Sequence, residues 1–248
     1  MLRCEAPKAL IFDKDGTIID VHHYWIEMSR LRIKILLDKL SLSSEIHLSL
    51  NSYLQNTLGI DQKEQKIRKN GPAGIKPRRE IIQIIGEALV DKKLKLDTKD
   101  ISDSFDEADE VSKKDFKKFL KLLPGVESMI SKARDYNIDL NLVSNDITSR
   151  SVLALQNLGF LEDFNFVFGQ DEVKNPKPSP DLALLILMKG KYKPNEIINI
   201  GDHCNDIKMG LNAGIYNNIA LLTGLSKKKD FANLKCTILN TLEELSFF

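Results

Sequence analysis

Two spacings of apolar residues divide the chain. Residues 8–13 form a short apolar run that ends at Lys14-Asp15-Gly16, which is typical of a strand followed by a turn. From about residue 25 to residue 120, apolar side chains recur every three or four residues, which predicts helices and no strand. Four such stripes are present, at residues 26–40, 48–58, 81–90 and 98–120. Gly59 stops the second stripe, and the third opens after Pro77.

After Pro124-Gly125 the pattern changes to short apolar runs separated by single helices. The predicted strands are residues 139–144, 165–168, 196–201, 218–222 and 236–239, and the predicted helices are residues 126–136, 149–158, 181–189 and 206–213. This alternation predicts an α/β fold with a mostly parallel sheet and helices on both faces. We expect a core domain formed by residues 1–20 and 122–248, with an all-helical domain at residues 21–121 inserted into it.

Composition restricts the partners. The 248 residues include 36 Lys and Arg against 35 Asp and Glu, a formal net charge of +1. Because a nearly neutral protein does not attract polyanions or anionic membranes by its overall charge, we expect neither nucleic acid nor a membrane as a partner. The longest apolar run, residues 182–188, is far shorter than the roughly 20 residues of a membrane helix. Three cysteines without a Cys-x-x-Cys pair favour reduced thiols and a cytoplasmic protein.

Polar groups follow four of the predicted strands at the point where each strand ends. In open α/β sheets, ligands bind outside the carboxyl ends of the strands, so we expect these groups to converge. They are four acids, a hydroxyl and a lysine: Asp13, Asp15, Ser144, Lys177, Asp202 and Asp206. Crowded carboxylates need a compensating cation, and hard oxygen ligands suit Mg²⁺. The sequence therefore predicts a magnesium site that has room for a phosphate.

These motifs resemble the haloacid dehalogenase superfamily of phosphohydrolases. The resemblance rests on Asp-x-Asp-Gly-Thr after the first strand, Ser-Asn after the second, a lone lysine, and Gly-Asp-x3-Asp, in that order. The helical insertion after the first motif resembles the subgroup with a small helical cap, which includes phosphoglycolate phosphatase-like enzymes. The resemblance covers nearly the whole chain and implies a Rossmann-like core, a cap domain and hydrolysis of a small-molecule phosphate ester.

The chemistry and the resemblance together suggest a role for each residue. Asp13 would attack phosphorus to form an aspartyl-phosphate, and Asp15 would protonate the leaving alcohol and later take a proton from water. Positive charge and hydrogen-bond donors would stabilise the transition state, and the predicted phosphate-binding residues are Thr17, Ser144, Asn145 and Lys177. The resemblance implies that Mg²⁺ is held by the carboxylates of Asp13 and Asp202 and by the Asp15 carbonyl. Asp206 would fix a metal-bound water or orient Lys177.

Other interpretations of the same residues remain open. Asp202 and Asp206 also suit a helix N-cap and a first-turn acid, and Ser144 can cap the helix that follows it. Lys174 is the alternative to Lys177. At the level of function, a phosphomutase of the same fold and a non-catalytic binding subunit are the alternatives to a phosphatase. The sequence leaves open whether the protein is a monomer or a homodimer.

Substrate contacts are predicted in the inserted domain because a cap would cover the leaving group. His22 follows the first motif closely, and Lys76, Arg78 and Arg79 place three cations at the start of a helix, against the usual dipole preference. The alternative is a solvated loop whose cations pair with nearby glutamates. Lys14 is either a surface side chain at the junction of the two domains or a substrate contact, and the sequence does not separate these roles. At His203 the sequence favours a local hydrogen bond over a metal ligand or a further acid or base.

Overall fold

The structure is a computed structural model that describes residues 2–68, 70–74 and 76–248. The chain divides into two compact units. The first, called the core unit, combines both ends of the chain, Met1–Asp20 and Leu120–Phe248. The second, called the helical unit, is Val21–Phe119.

The strands and helices are numbered in chain order. The strands are Leu2–Cys4 (β1), Ala9–Phe12 (β2), Ile60–Asp61 (β3), Lys66–Ile67 (β4), Asp139–Val143 (β5), Phe164–Phe168 (β6), Ile197–Gly201 (β7), Asn218–Leu221 (β8), Thr237–Leu239 (β9) and Leu245–Phe247 (β10). The helices are Val21–Asp38 (α1), Ser44–Thr57 (α2), Arg78–Asp91 (α3), Thr98–Lys114 (α4), Val126–Asp135 (α5), Thr148–Leu158 (α6), Asp181–Gly190 (α7) and Cys204–Asn212 (α8). Short 3₁₀ turns lie between several of them.

Six parallel strands form the main sheet of the core unit, in the order β6-β5-β2-β7-β8-β9. Strand β2 lies at the centre, where Ile11 stands between Asn141 of β5 and Asn199 of β7. Every residue of β2, β7 and β8 is buried. Complete burial is what a parallel strand covered on both faces requires, and it explains why these segments are nearly all apolar.

Helices cover both faces of this sheet. From β2 the chain steps outward to β5 and β6 on one side and to β7 and β8 on the other. Because such connections are right-handed, α6 and α8 fall on opposite faces. Ile11 packs with Leu182 and Ile186 of α7 and with Met209 of α8. The predicted α/β fold is confirmed, and the helices and strands predicted after Pro124 are present with ends that differ by one or two residues.

The helical unit has its own apolar core, to which all four of its helices contribute. Its largest fully buried side chain is Phe105 of α4, which packs with Leu37 of α1, Leu54 of α2 and Ile85 of α3. The predicted second stripe is wrong at Leu48, which is 68% exposed. That residue lies on the solvent face of α2, whose buried apolar residues are Leu50 and Leu54.

Two further strand pairs were not predicted. The expectation of an all-helical insertion without strands is wrong at β3 and β4, a short antiparallel hairpin in which Ile60 pairs with Ile67. Two-residue strands are too short to show alternation, and no Asn-Gly turn marks the connection. Strands β1 and β10 form a separate parallel pair between the two ends of the chain. Among the described residues, no helix combines the length and apolar character needed to cross a bilayer.

Candidate active site

The residues predicted for catalysis and for phosphate and metal binding lie at one edge of the main sheet, in loops that follow its strands and, for Asp206, in the first turn of α8. Asp13 follows β2, Ser144 follows β5, Asp202 follows β7, and Lys177 lies in the connection between β6 and α7. These strands are parallel, so their carboxyl ends meet at the same edge. The structure therefore brings together residues that are as much as 193 positions apart, from Asp13 to Asp206.

Lys177 lies between two of the aspartates. Its Nζ is 2.6 Å from Oδ1 of Asp13 and 2.8 Å from Oδ1 of Asp206, and its side chain is only 2% exposed. Burial by itself lowers the pKa of Lys177, but the two carboxylates outweigh burial and raise that pKa above its ordinary value. Lys177 is therefore protonated at neutral pH. The alternative, Lys174, is exposed.

Three aspartates form a compact group of oxygen ligands. One carboxylate oxygen from each of Asp13, Asp202 and Asp206 lies within 4.8 Å of the others. Burial raises the pKa of Asp13 to about 7 against the lowering effect of Lys177, and the Asp206 and Asp15 carboxylates add to the increase. Burial, with the charge of Asp13, also raises the pKa of Asp202 well above its ordinary value.

This group fits a divalent cation. Three buried carboxylates face one lysine, so the site carries an excess of negative charge that further positive charge would stabilise. Its donors are carboxylate oxygens, the ligands that Mg²⁺ and Ca²⁺ prefer. Asp206 already binds Lys177 through Oδ1 and accepts a hydrogen bond from the His203 N–H through Oδ2 at 2.9 Å. Asp13 and Asp202 are therefore the better placed pair to bind a cation.

The turn after β2 needs a glycine for two reasons. Gly16 has a φ of +93°, a backbone conformation that L side chains rarely adopt. A Cβ at this position would also lie 2.5 Å from Cγ of Asp202, so a larger residue would displace that carboxylate. Thr17, which is fully buried, donates its hydroxyl to Oδ1 of Asp202 at 3.5 Å. The turn thus holds Asp202 in position, and the predicted contact of Thr17 with phosphate stays a prediction.

Ser144 and Asn145 have structural partners in the core unit. The Ser144 hydroxyl accepts a hydrogen bond from the Asp146 N–H at 3.0 Å. The Asn145 amide binds the main chain of Lys177 twice: its Oδ1 accepts from the N–H at 2.9 Å, and its Nδ2 donates to the carbonyl at 3.2 Å. Asn145 therefore fixes the backbone of Lys177. That either residue binds phosphate stays a prediction.

Sequence reasoning missed two residues of the loop after β8. The Thr223 hydroxyl donates to the Gly16 carbonyl at 2.6 Å. Gly224 lies so close to Asp202 that an added Cβ would be 1.7 Å from Oδ2. Their position in the sequence could have identified them, because they directly follow the predicted strand at residues 218–222, which belongs to the same sheet.

His203, whose role the sequence left open, caps α8. Its Nδ1 accepts a hydrogen bond from the Asn205 N–H at 3.2 Å, while Asp206 binds the His203 N–H. The ring thus takes the place of the serine or aspartate common at helix N-caps. This local hydrogen bonding is the interpretation that the sequence favoured.

The four predicted substrate contacts lie in the helical unit, and three of them have partners there. Lys76 pairs with Glu80 at 2.6 Å, which is one of the pairings expected of a solvated loop. His22 accepts the Ile67 N–H through Nδ1 at 3.1 Å and so binds the hairpin to α1. Arg78 pairs with two aspartates of α4, Asp106 at 2.8 Å and Asp109 at 2.9 Å. The fourth, Arg79, lines a cleft of about 610 Å³ beside α3. That any of the four contacts substrate stays a prediction.

Comparison with known proteins identifies the family. A model of haloacid dehalogenase-like hydrolases matches residues 7–214. The chain belongs to this hydrolase family, so the predicted resemblance is confirmed. The chain is 24% identical to a phosphorylated carbohydrates phosphatase of Thermotoga maritima over 239 residues, which is 96% of each chain. It is also 32% identical to the phosphoglycolate phosphatase of Escherichia coli K12, over 93 residues that cover 38% of this chain and 37% of that enzyme.

Solved structures share the fold. A putative β-phosphoglucomutase from Thermotoga maritima superimposes with a TM-score of 0.70 at 22% identity, and the match covers 96% of this chain and 95% of the other. This likeness extends over both units of the chain. At such identity it is evidence for the fold and not for a particular substrate.

Proposed function

We propose that this protein is a Mg²⁺-dependent phosphatase that hydrolyses a small phosphorylated metabolite through an aspartyl-phosphate on Asp13. The observation that carries the proposal is the buried ion pair between Lys177 and Asp13, with Asp202 and Asp206 beside it. A carboxylate next to a fixed ammonium, at an edge of the sheet where ligands bind, is equipped to attack an anionic phosphate ester.

The first half of the reaction transfers the phosphoryl group to the protein. Lys177 binds Oδ1 of Asp13, and Oδ2 would attack phosphorus as the bond from phosphorus to the leaving oxygen breaks. Asp15 would give its proton to that oxygen, so that the product leaves as a neutral alcohol. Lys177 would also offset the charge that develops on the phosphoryl oxygens, and the Ser144 hydroxyl still has its hydrogen to donate.

The second half releases phosphate. Asp15, now ionised, would take a proton from a water molecule whose oxygen attacks phosphorus. The bond from phosphorus to Asp13 breaks, which regenerates the carboxylate and frees inorganic phosphate. Asp13 and Asp202 would hold Mg²⁺ with the Asp15 carbonyl, while Asp206 orients Lys177. Bound Mg²⁺ would supply positive charge that keeps Asp13 ionised and neutralises the phosphate.

The place of the helical unit in the chain favours a small molecule as the substrate. It is inserted between Asp20 and Leu120, directly after the turn that carries Asp13 and Asp15. We propose that this unit is a cap that selects the leaving group, with phosphoglycolate and sugar phosphates as the first substrates to test. Two relatives support this choice of substrates, since one is named a phosphorylated carbohydrates phosphatase and the other a phosphoglycolate phosphatase.

The test is phosphate release from p-nitrophenyl phosphate, 2-phosphoglycolate and a panel of hexose phosphates, each with Mg²⁺ and with EDTA. We expect turnover that needs Mg²⁺ and that Asp13→Asn abolishes. The matched control is Asp135→Asn, at an exposed aspartate at the end of α5, which leaves turnover unchanged. Folded protein that releases no phosphate from any ester contradicts the proposal, and interconversion of sugar phosphates without release would identify a phosphomutase.

A further inference from the structure

Lys14, between the two predicted catalytic aspartates, is a buried lysine with two acidic partners. Its side chain is 7% exposed, and its Nζ lies 2.7 Å from Oδ2 of Asp146 and 3.2 Å from Oδ2 of Asp15. Lysine is almost never fully buried unless it is paired, because an isolated ammonium is costly to remove from water. The two carboxylates that pair with the Lys14 ammonium therefore compensate the cost of its burial.

Asp146 is a fixed anchor for this ammonium. Its other carboxylate oxygen, Oδ1, accepts a hydrogen bond from the Ile147 N–H at 2.8 Å, and its carbonyl accepts from the Gln170 N–H at 3.0 Å. The backbone of Lys14 is fixed too, since its carbonyl accepts the N–H groups of Ile18 and Ile19 at 3.0 Å and 2.9 Å. Hydrogen bonds within turns thus fix both the backbone of Lys14 and the aspartate that binds its ammonium.

Asp15 is the most exposed of these three residues. Its side chain is 32% exposed, against 24% for Asp146 and 7% for Lys14. A carboxylate that is partly exposed samples several rotamers unless a partner selects one. The ammonium of Lys14, 3.2 Å away, provides such a partner.

We propose that Lys14 is a positioning residue: anchored on Asp146, its ammonium holds the Asp15 carboxylate where it exchanges a proton with the leaving group. This inference rests on the proposed phosphatase function and extends it. Proton transfer requires hydrogen-bond reach, and small errors in placement are costly for reactions between fixed groups. In this role Lys14 acts through Asp15 and exchanges no proton itself.

The inference has a kinetic signature that a general loss of structure lacks. An alkyl phosphate must release an alkoxide unless an acid protonates it, whereas p-nitrophenolate leaves readily without a proton. The parameter kcat/KM covers the steps up to departure of the alcohol, so it depends on Asp15 for alkyl esters and hardly at all for p-nitrophenyl phosphate. The attack of water on the aspartyl-phosphate needs Asp15 as a base whichever ester was the substrate. Displacement of Asp15 therefore lowers kcat with both esters.

The experiment compares kcat/KM on 2-phosphoglycolate, or on the best alkyl ester found, with kcat/KM on p-nitrophenyl phosphate. Lys14→Met removes the ammonium but keeps the length of the side chain. We expect about a 10- to 100-fold loss on the alkyl ester and less than about a threefold loss on p-nitrophenyl phosphate. Lys14→Arg keeps the charge and should recover most of the loss.

Three further variants complete the comparison. Asp15→Asn removes the acid itself and should therefore give the largest difference between the losses of kcat/KM on the two esters. Asp146→Asn loosens the anchor and should shift the ratio of the two kcat/KM values in the same direction, and it keeps the test decisive where Lys14→Met fails to fold. Lys8→Met is the matched control, since Lys8 forms an exposed ion pair with Glu196 at the opposite edge of the sheet. This control should leave both values within about twofold of wild type.

The outcomes separate this inference from the proposed function. Equal losses on both esters in Lys14→Met, or no loss on either, overturn the positioning role. If Asp15→Asn shows the split between the esters and Lys14→Met and Asp146→Asn do not, the phosphatase mechanism stands and the inference fails. If the wild-type protein hydrolyses no ester, the proposed function itself fails.

Discussion

Removal of the buried lysine of the site should destabilise the protein in a way that depends on pH. Lys177→Met replaces the ammonium with an apolar side chain of similar length and leaves Asp13 and Asp206 without their common partner. Loss of one partner from a buried ion pair costs about 3–5 kcal/mol, because the remaining charge is uncompensated. We expect a loss of this size in the free energy of unfolding above neutral pH, measured in EDTA.

The sign of the pH dependence follows from Asp13. Its pKa is raised by burial from 3.8 to about 7 in the metal-free protein. Between these two pKa values the folded state holds a proton that the unfolded state has lost, so the contribution of Asp13 to stability is greatest below pH 3.8 and falls until about pH 7. Without Lys177, which lowers that pKa, the fall continues to higher pH. Lys177 itself has a raised pKa and stays charged in both states throughout this range.

The difference between wild type and variant should therefore widen above neutral pH. Each pH unit adds up to about 1.4 kcal/mol for one proton, which gives roughly 2 kcal/mol between about pH 7 and about pH 8.5. Urea unfolding followed by far-UV circular dichroism, at about pH 6 and about pH 8.5, measures this difference. A difference that is the same at both pH values, or below about 1 kcal/mol throughout, would refute the reasoning. Lys8→Met, at an exposed ion pair, should show neither effect.

Three further predictions test other parts of the structure. Gly224→Ala places a Cβ against the Asp202 carboxylate and should lower Mg²⁺-dependent turnover more than about tenfold while the circular dichroism spectrum stays unchanged. Asn145→Ala frees the main chain of Lys177 and should lower kcat about tenfold or more with the thermal midpoint nearly unchanged; normal kcat would contradict the role given to the amide. Arg78→Ala removes ion pairs to two aspartates of α4 and should lower the free energy of unfolding of the helical unit by about 1 kcal/mol, measured by fluorescence of the single tryptophan. Unchanged kcat/KM on every ester in that variant would exclude Arg78 as a substrate contact.

The sequence was sufficient to predict the main sheet and the group of polar residues that its carboxyl edge brings together. Apolar runs and helical stripes depend on neighbouring residues, so their periods survive in a single sequence and predict the order of strands and helices. Parallel strands then bring their carboxyl ends to one edge, which is why Asp13, Ser144 and Asp202 could be grouped without any distance. The same local logic failed for β3 and β4, whose strands are too short to carry a period.

Pairings between distant residues needed the tertiary structure. The sequence left Lys174 and Lys177 as alternatives, and the structure buries Lys177 between two carboxylates while Lys174 stays exposed. It also shows that Asn145 binds the main chain of Lys177, that Gly224 lies against Asp202, and that β1 pairs with β10 across the whole chain.

The physical reason for this division is the range of the interactions. A strand or helix is selected by residues a few positions apart, so a linear pattern records it. Which lysine reaches a carboxylate, and which loop closes over it, depends on the path of several loops in three dimensions. Lys14 shows the difference most clearly: by sequence it is a charge between two acids, and only the packing of the loop after β5 places Asp146 within 2.7 Å of its ammonium.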